Sequence, residues 1–215
     1  RQFLQWRVES NIEADRQQVI GRSPEDFCAW YVKRKNPYLH ICPYAGRNEE
    51  GHVIWYMRQG LIDPKKFVEH RQISMEEDSK LMFLVLEWTL WYLNVLSKEE
   101  GRMVYAIKVA DFKGMGSEGR SLPIFVPKFK DFLVNLVKTM QKYYCEHDSA
   151  FLIVNTPFIF RAVFSVMKVV LTKRQSSKMS FLGDLSKADA RGSMAELLNS
   201  EVMPTEYGGG LGRAP

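Results

Sequence analysis

Gly114-Met115-Gly116-Ser117-Glu118-Gly119 has the GxGxxG spacing of a turn that holds a dinucleotide pyrophosphate. That chemistry needs the glycines to open directly into a helix whose N-terminus meets the phosphates. Pro123 and Pro127 intervene before any helical period begins, so the segment reads as a flexible loop. Other catalytic patterns are as thin. His40, His52, His70 and His147 fall in turns or at strand starts, no GxSxG or HExxH occurs, and Cys145 two residues before His147 defines no mechanism. We expect no enzyme, no catalytic residues, no metal and no cofactor other than a bound ligand.

The composition points elsewhere. Thirteen Phe, 5 Trp and 9 Tyr among 46% hydrophobic residues suit a large core or a large apolar pocket. A net charge of +5 suits an acidic surface as partner but is too small for a nucleic-acid footprint, and no nucleic-acid partner is expected. Cys28, Cys42 and Cys145 are scattered, without metal-ligand spacing, which favours a reducing compartment. The opening Arg1-Gln2-Phe3-Leu4-Gln5-Trp6-Arg7 has no apolar run of the signal-peptide kind. It starts in helix-like sequence without Met, so we expect a piece of a longer protein. Phe151–Leu171 is interrupted by Asn155, Pro157, Arg161 and Lys168, which fits a buried strand and an amphipathic helix better than a membrane span.

The elements that must position any site follow from pattern. Ser23-Pro24-Glu25-Asp26 starts a helix, and Asn36-Pro37 closes it. Strands are expected at 52–57, 102–110, 150–154 and 179–182; helices at 76–97, buried on most sides, 128–144, strongly amphipathic, 158–171, and around 194–198. Alternating strands and helices give an α/β fold, an α-β-α sandwich with a mainly parallel sheet. We divide it into an N-terminal helical segment, 1–50, and a main domain, 51–215. The Gly208-Gly209-Gly210-Leu211-Gly212 tail reads as flexible.

The segment 143–182 carries most information. Its helix places Phe160, Val163, Phe164, Met167 and Leu171 on one stripe, with Ile159, Val166, Val169 and Val170 widening it. Lys173, Arg174 and Lys178 follow, as where a helix meets an anionic bilayer. A core helix capped by lysines explains the same pattern, and periodicity alone leaves both readings open.

Val109-Ala110-Asp111-Phe112-Lys113-Gly114, Tyr143-Tyr144-Cys145-Glu146, Phe151-Leu152-Ile153-Val154-Asn155-Thr156-Pro157-Phe158, Ser177-Lys178 and Met203-Pro204-Thr205-Glu206-Tyr207-Gly208-Gly209 follow one another as in the CRAL-TRIO family. The chain most resembles that family's phosphatidylinositol transfer proteins, and Phe3–Arg7 resembles their N-terminal helical motif. The resemblance implies a sheet flooring an apolar pocket that holds one phospholipid under a gate helix. Gate and pocket would comprise Phe158, Phe160, Val163, Phe164, Met167, Val170 and Leu171, with hinges at Thr156-Pro157 and Thr172. By the same resemblance Arg7, Glu146 and Lys178 would bind an inositol-phosphate headgroup. Gln175 stands where the family has a threonine that also meets the phosphate. Lys173 and Arg174 would touch a membrane. Ala106 and Lys108 replace the serine and threonine that hold phosphocholine, which disfavours phosphatidylcholine as ligand. Val8 replaces a lysine, and Gly51-His52-Val53 departs from a glycine-arginine-proline turn. Phosphatidylinositol carriage, peripheral to a membrane in the cytoplasm, is the expected function. A regulatory module that senses lipid without moving it, and a carrier of a sterol or tocopherol, stay open beside it.

Overall fold

A computed structural model of the chain describes residues 2–69, 74–144, 147–158, 160, 164, 171–210 and 212. Local chemistry sets most helix boundaries. Ser23 accepts a hydrogen bond from the Asp26 amide (3.2 Å) and Pro24 takes the first helical position, so α3 runs Pro24–Val32 after two short helices, α1 (Gln2–Glu9) and α2 (Ile12–Arg16). The helix α4 spans Pro64–Glu69. Ser74 and Glu77 form a reciprocal capping box at the start of α5, Met75–Glu100, which Gly101 ends in the left-handed region at φ 65°. Helix α6 covers Pro127–Tyr143 and turns Phe129, Phe132 and Leu136 inward.

Among the described residues the strands β1 (Ile41–Cys42), β2 (Val53–Met57), β3 (Ala106–Asp111), β4 (Asp148–Val154) and β5 (Met179–Gly183) form one sheet in that order. Only the β1–β2 pair is antiparallel. The short helix α7 (Lys173–Ser177) precedes β5, and α8 (Ala188–Leu197) follows it.

Alternation along β3 divides the interior into two cores. Ala106 and Ala110 face a core built with Trp55, Phe67, Trp88, Phe129 and Phe132, while Ile107 and Val109 face a smaller one with Met194, Leu198 and Tyr207. The expected α-β-α sandwich is thus the observed layering, with α3 to α6 on one face of a mainly parallel sheet and α8 on the other.

Several boundaries differ from the sequence reading. Strand β3 begins at Ala106, not at residue 102, because the cap at Gly101 delivers a turn before extended backbone starts. Strand β1 and helices α4 and α7 are too short to show a period and were not expected. The Gly208–Gly210 tail is folded, not loose: the Gly209 amide donates to the Pro204 carbonyl (3.1 Å) and Gly210 to Ser200 (2.5 Å). A Cβ on Gly209 would lie 1.8 Å from the Met203 carbonyl oxygen, so only glycine lets this turn close. Among the described residues no helix is long and apolar enough to cross a membrane.

Candidate functional site

Register across the sheet lays out the face that carries the larger core. Trp55, Lys108, Phe151 and Met179 form one row, and Met57, Ala110, Ile153 and Phe181 the next. Trp55 and Ile153 are buried, whereas Phe151 and Met179 are half-covered and Phe181 is 52% exposed. The floor therefore loses its helical cover toward β5. An apolar surface left partly open there must be roofed by something other than α3 to α6.

Two of the residues expected in a gate, Phe160 and Phe164, lie within the description and cover part of that surface. Phe160 packs edge-on against Phe112 (ring centroids 4.4 Å) and Phe181 (6.2 Å), and Phe164 stacks on Phe160 (5.6 Å) while meeting Phe181 edge-on at 5.3 Å. Phe160 is buried, Leu171 half-buried, and Phe158 is 91% exposed at the start of the segment. Val163, Met167 and Val170 lie outside the described residues.

The opposite, N-terminal end of the strands is ionic. Lys178 Nζ donates to the Asp148 carbonyl (2.6 Å). Arg7 is held by Glu87 (2.7 Å) and Glu13 (2.6 Å), and Arg16 also reaches Glu87 (3.1 Å). The Glu87 carboxylate, through its hydrogen bond, raises the Arg7 pKa despite partial burial. Trp6 stacks on Tyr143 (4.3 Å), and burial together with Glu87 raises the neighbouring Tyr144 phenol. Tyr144 and His147 are three residues apart, at most about 11 Å between their Cα atoms. Arg7 is engaged by Glu13 and Glu87, and Lys178 by the Asp148 carbonyl; Glu146 lies outside the described residues. Gln175 is otherwise engaged, because its carbonyl accepts from the Thr172 amide (3.0 Å) in the capping box of α7. Its amide nitrogen remains the donor it can offer a phosphate. Lys173 and Arg174 are exposed on the first turn of α7.

Sequence reasoning missed a cluster at this same edge. Lys108, buried on the floor, places Nζ 3.0 Å from His147 Nε2, 3.0 Å from Asp148 Oδ2 and 4.8 Å from the Trp55 ring. Burial first, then the ammonium of Lys108, pushes His147 down to about 4. A lysine in the middle of a strand whose other interior residues are apolar was the available signal; its partners, some forty residues away, gave none.

On the other face, Asp111 accepts hydrogen bonds from Tyr56 (3.0 Å), Tyr207 (2.8 Å), Asn155 (2.8 Å) and the Lys113 amide (2.9 Å). Asn155, at φ 54°, also donates to Tyr207 (2.8 Å) and accepts from the Leu185 amide (2.8 Å). This network walls a cleft of about 390 Å³ lined by Lys113, Gly114, Pro157, Arg191 and Glu206. The GxGxxG segment borders that cleft as a loop, with Ser117 donating to the Gly114 carbonyl (2.7 Å), and opens into no helix.

The fold is an α/β sandwich whose larger-core sheet face is apolar, with aromatic rings at one end and ionic groups at the other. The chain belongs to the CRAL/TRIO domain family, whose model matches residues 39–209. It is 21% identical to Patellin-5 of Arabidopsis thaliana over 96% of this chain and 27% of that protein. Patellin-6 of Arabidopsis thaliana is 23% identical (96% of this chain, 44% of that protein), and Protein real-time of Anopheles gambiae 21% (97% and 28%). The chain thus spans between about a quarter and under half of these relatives. The crystal structure of Sfh5 shares the fold at a TM-score of 0.64 and 20% identity, covering 97% of this chain and 62% of that one.

Proposed function

We propose that this domain encloses one phospholipid, phosphatidylinositol, and exchanges it with a membrane surface, to which it binds peripherally and transiently from the cytoplasm. The observation that carries this reading is the two-ended floor. Lys178 stands at one end of a half-open apolar strip, and Phe160 and Phe164 close over the other. The strip runs along the strands between them, from Phe151 and Met179 to Phe181.

Withdrawing a two-chain lipid exposes some thirty CH₂ groups to water, at ~0.8 kcal/mol each on the order of 24 kcal/mol. Passage must therefore occur while the roof lies against the bilayer. The exposed Phe158 ring before the gate and the cations of α7 after it suit such a docking face. Opening then turns on Thr156-Pro157 and Thr172, since Asn155 is tied on three sides. At the headgroup, Lys178 takes the phosphodiester while Arg7 and Glu146 meet the phosphate and ring hydroxyls.

Native mass spectrometry of protein purified from cells should show one phospholipid per chain, with Lys178→Ala lowering phosphatidylinositol transfer between liposomes. Full transfer by that variant would overturn the headgroup assignment. Liposome binding without transfer by the unmodified chain would mark a sensor.

A further inference from the structure

We propose that the cleft at the carboxyl ends of β3, β4 and β5 is a second binding site, one that takes the phosphate group of a small organic molecule between Lys113 and Arg191. It stands independently of the lipid-carrier reading, since its walls share no residue with the headgroup assignment or the apolar strip.

The path of the chain opens this cleft. The loop after β3 leads to α6 on the face of the larger core, whereas the loop after β5 leads to α8 on the other. Where connections leave a parallel sheet toward opposite faces, a crevice forms outside the carboxyl ends of the strands, and open α/β sheets hold ligands in such crevices. Here it measures about 390 Å³, room for a small organic molecule. Its floor is preorganised, because Asn155 and Tyr207 are locked onto Asp111. Phe112, Pro157 and Leu185 add an apolar wall for the organic part.

Charge decides what that organic part carries. Two acids line the cleft, and both are engaged: Glu206 pairs with Arg58, and Asp184 accepts from the Ser186 amide (2.9 Å). The two cations are not. Lys113 Nζ sits 5.4 Å from the centre of the Tyr207 ring, and among the described residues neither its ammonium nor the Arg191 guanidinium forms an ion pair or a hydrogen bond. The surrounding field has the same sign. Ser186 first, then Lys187 and Lys113, hold the Asp184 carboxyl below its ordinary value. Arg120, whose Nε donates to the carbonyl of the lining Gly114 (3.4 Å), acts with burial, Lys35 and Arg58 to lower His40. An ammonium and a guanidinium lining one cavity suit a phosphate, whose oxygens accept from both, the guanidinium fork bidentately.

The phosphate can belong to a soluble compound or to a lipid headgroup, and two arms separate these. Phenyl phosphate is titrated into the chain by isothermal calorimetry at low salt, and vesicles of phosphatidylcholine with phosphatidic acid are sedimented with it. Lys113→Gln and Arg191→Gln should each weaken phenyl phosphate binding by roughly tenfold, the factor for one charge-assisted hydrogen bond, and Asp184→Asn should strengthen it. Lys138→Gln, on the exposed face of α6, should change nothing. Vesicle binding that depends on Lys113 and Arg191, without binding of phenyl phosphate, keeps the site and puts its phosphate on a lipid. Absence of both kinds of binding, indifference to Lys113→Gln and Arg191→Gln, or an equal loss in Lys138→Gln overturns the site. All four side chains are exposed, so each variant should keep the circular dichroism of the unmodified chain.

Discussion

Asp111 and Lys108 lie three residues apart on β3, both buried and both ionisable, yet their surroundings differ in kind. Asp111 accepts four hydrogen bonds, and Asn155, which supplies one of them, uses both its amide protons and its carbonyl. Lys108 shares His147 and Asp148 as partners, and among the described residues His147 Nδ1 is buried without a hydrogen bond. A satisfied buried network rigidifies a fold, because the low dielectric that penalises orphans also strengthens completed bonds. An unfinished one keeps capacity for something else. The smaller core carries the completed network, and the face of the larger core carries the incomplete one.

This contrast can be broken by experiment. Asp111→Ala strands two phenols and two amide donors, those of Asn155 and of the Lys113 backbone, so urea unfolding should register a loss of about 3–5 kcal/mol. Next comes acid. Holding His147 at about 4 against its ordinary 6.5 means that the unfolded chain binds this proton more readily. Stability is then complete above pH 6.5 and falls as pH drops toward 4, by on the order of 3 kcal/mol, and His147→Gln should flatten that slope in pH-dependent denaturation. Gly209→Ala presses a methyl onto the Met203 carbonyl and shifts the turn that carries Tyr207; a cost of about 1–3 kcal/mol in thermal unfolding is expected. Lys108→Met should be the mildest, within about 1 kcal/mol, since the abandoned Asp148 carboxylate already reaches water. A large loss there would make the two clusters alike and remove the contrast.

Legibility in the sequence follows the range of the interactions. Helix α3 was readable from Ser23-Pro24, and α6 from its apolar period, because both signals lie within a few residues. The α-β alternation and the parallel sheet followed from such local signals. Strand β1, two residues long, has no period to read; it exists because Ile41 and Cys42 pair with Met57 and Tyr56. The site divides likewise. Ser177-Lys178 stood out as a motif, but the bond of Lys178 to the Asp148 carbonyl could not be read from it, and the capping role of Gln175 depends on Thr172 starting α7. His147 and Asp148 gain meaning only from Lys108 on the neighbouring strand. The glycine tail misled because its composition suits a linker, and only the Met203 carbonyl beneath Gly209 shows why a side chain is excluded.

The Asp111 network also sets a schedule for synthesis. It joins residues 56, 111, 155 and 207, separations long enough to make its closure a late event. As the chain leaves the ribosome, β2, β3 and β4 can pair while the Asp111 carboxylate still lacks the hydroxyl of Tyr207. Ribosome-stalled chains ending before that residue should remain open to protease at the strand ends, and those extending past the glycine turn should become resistant in a single step.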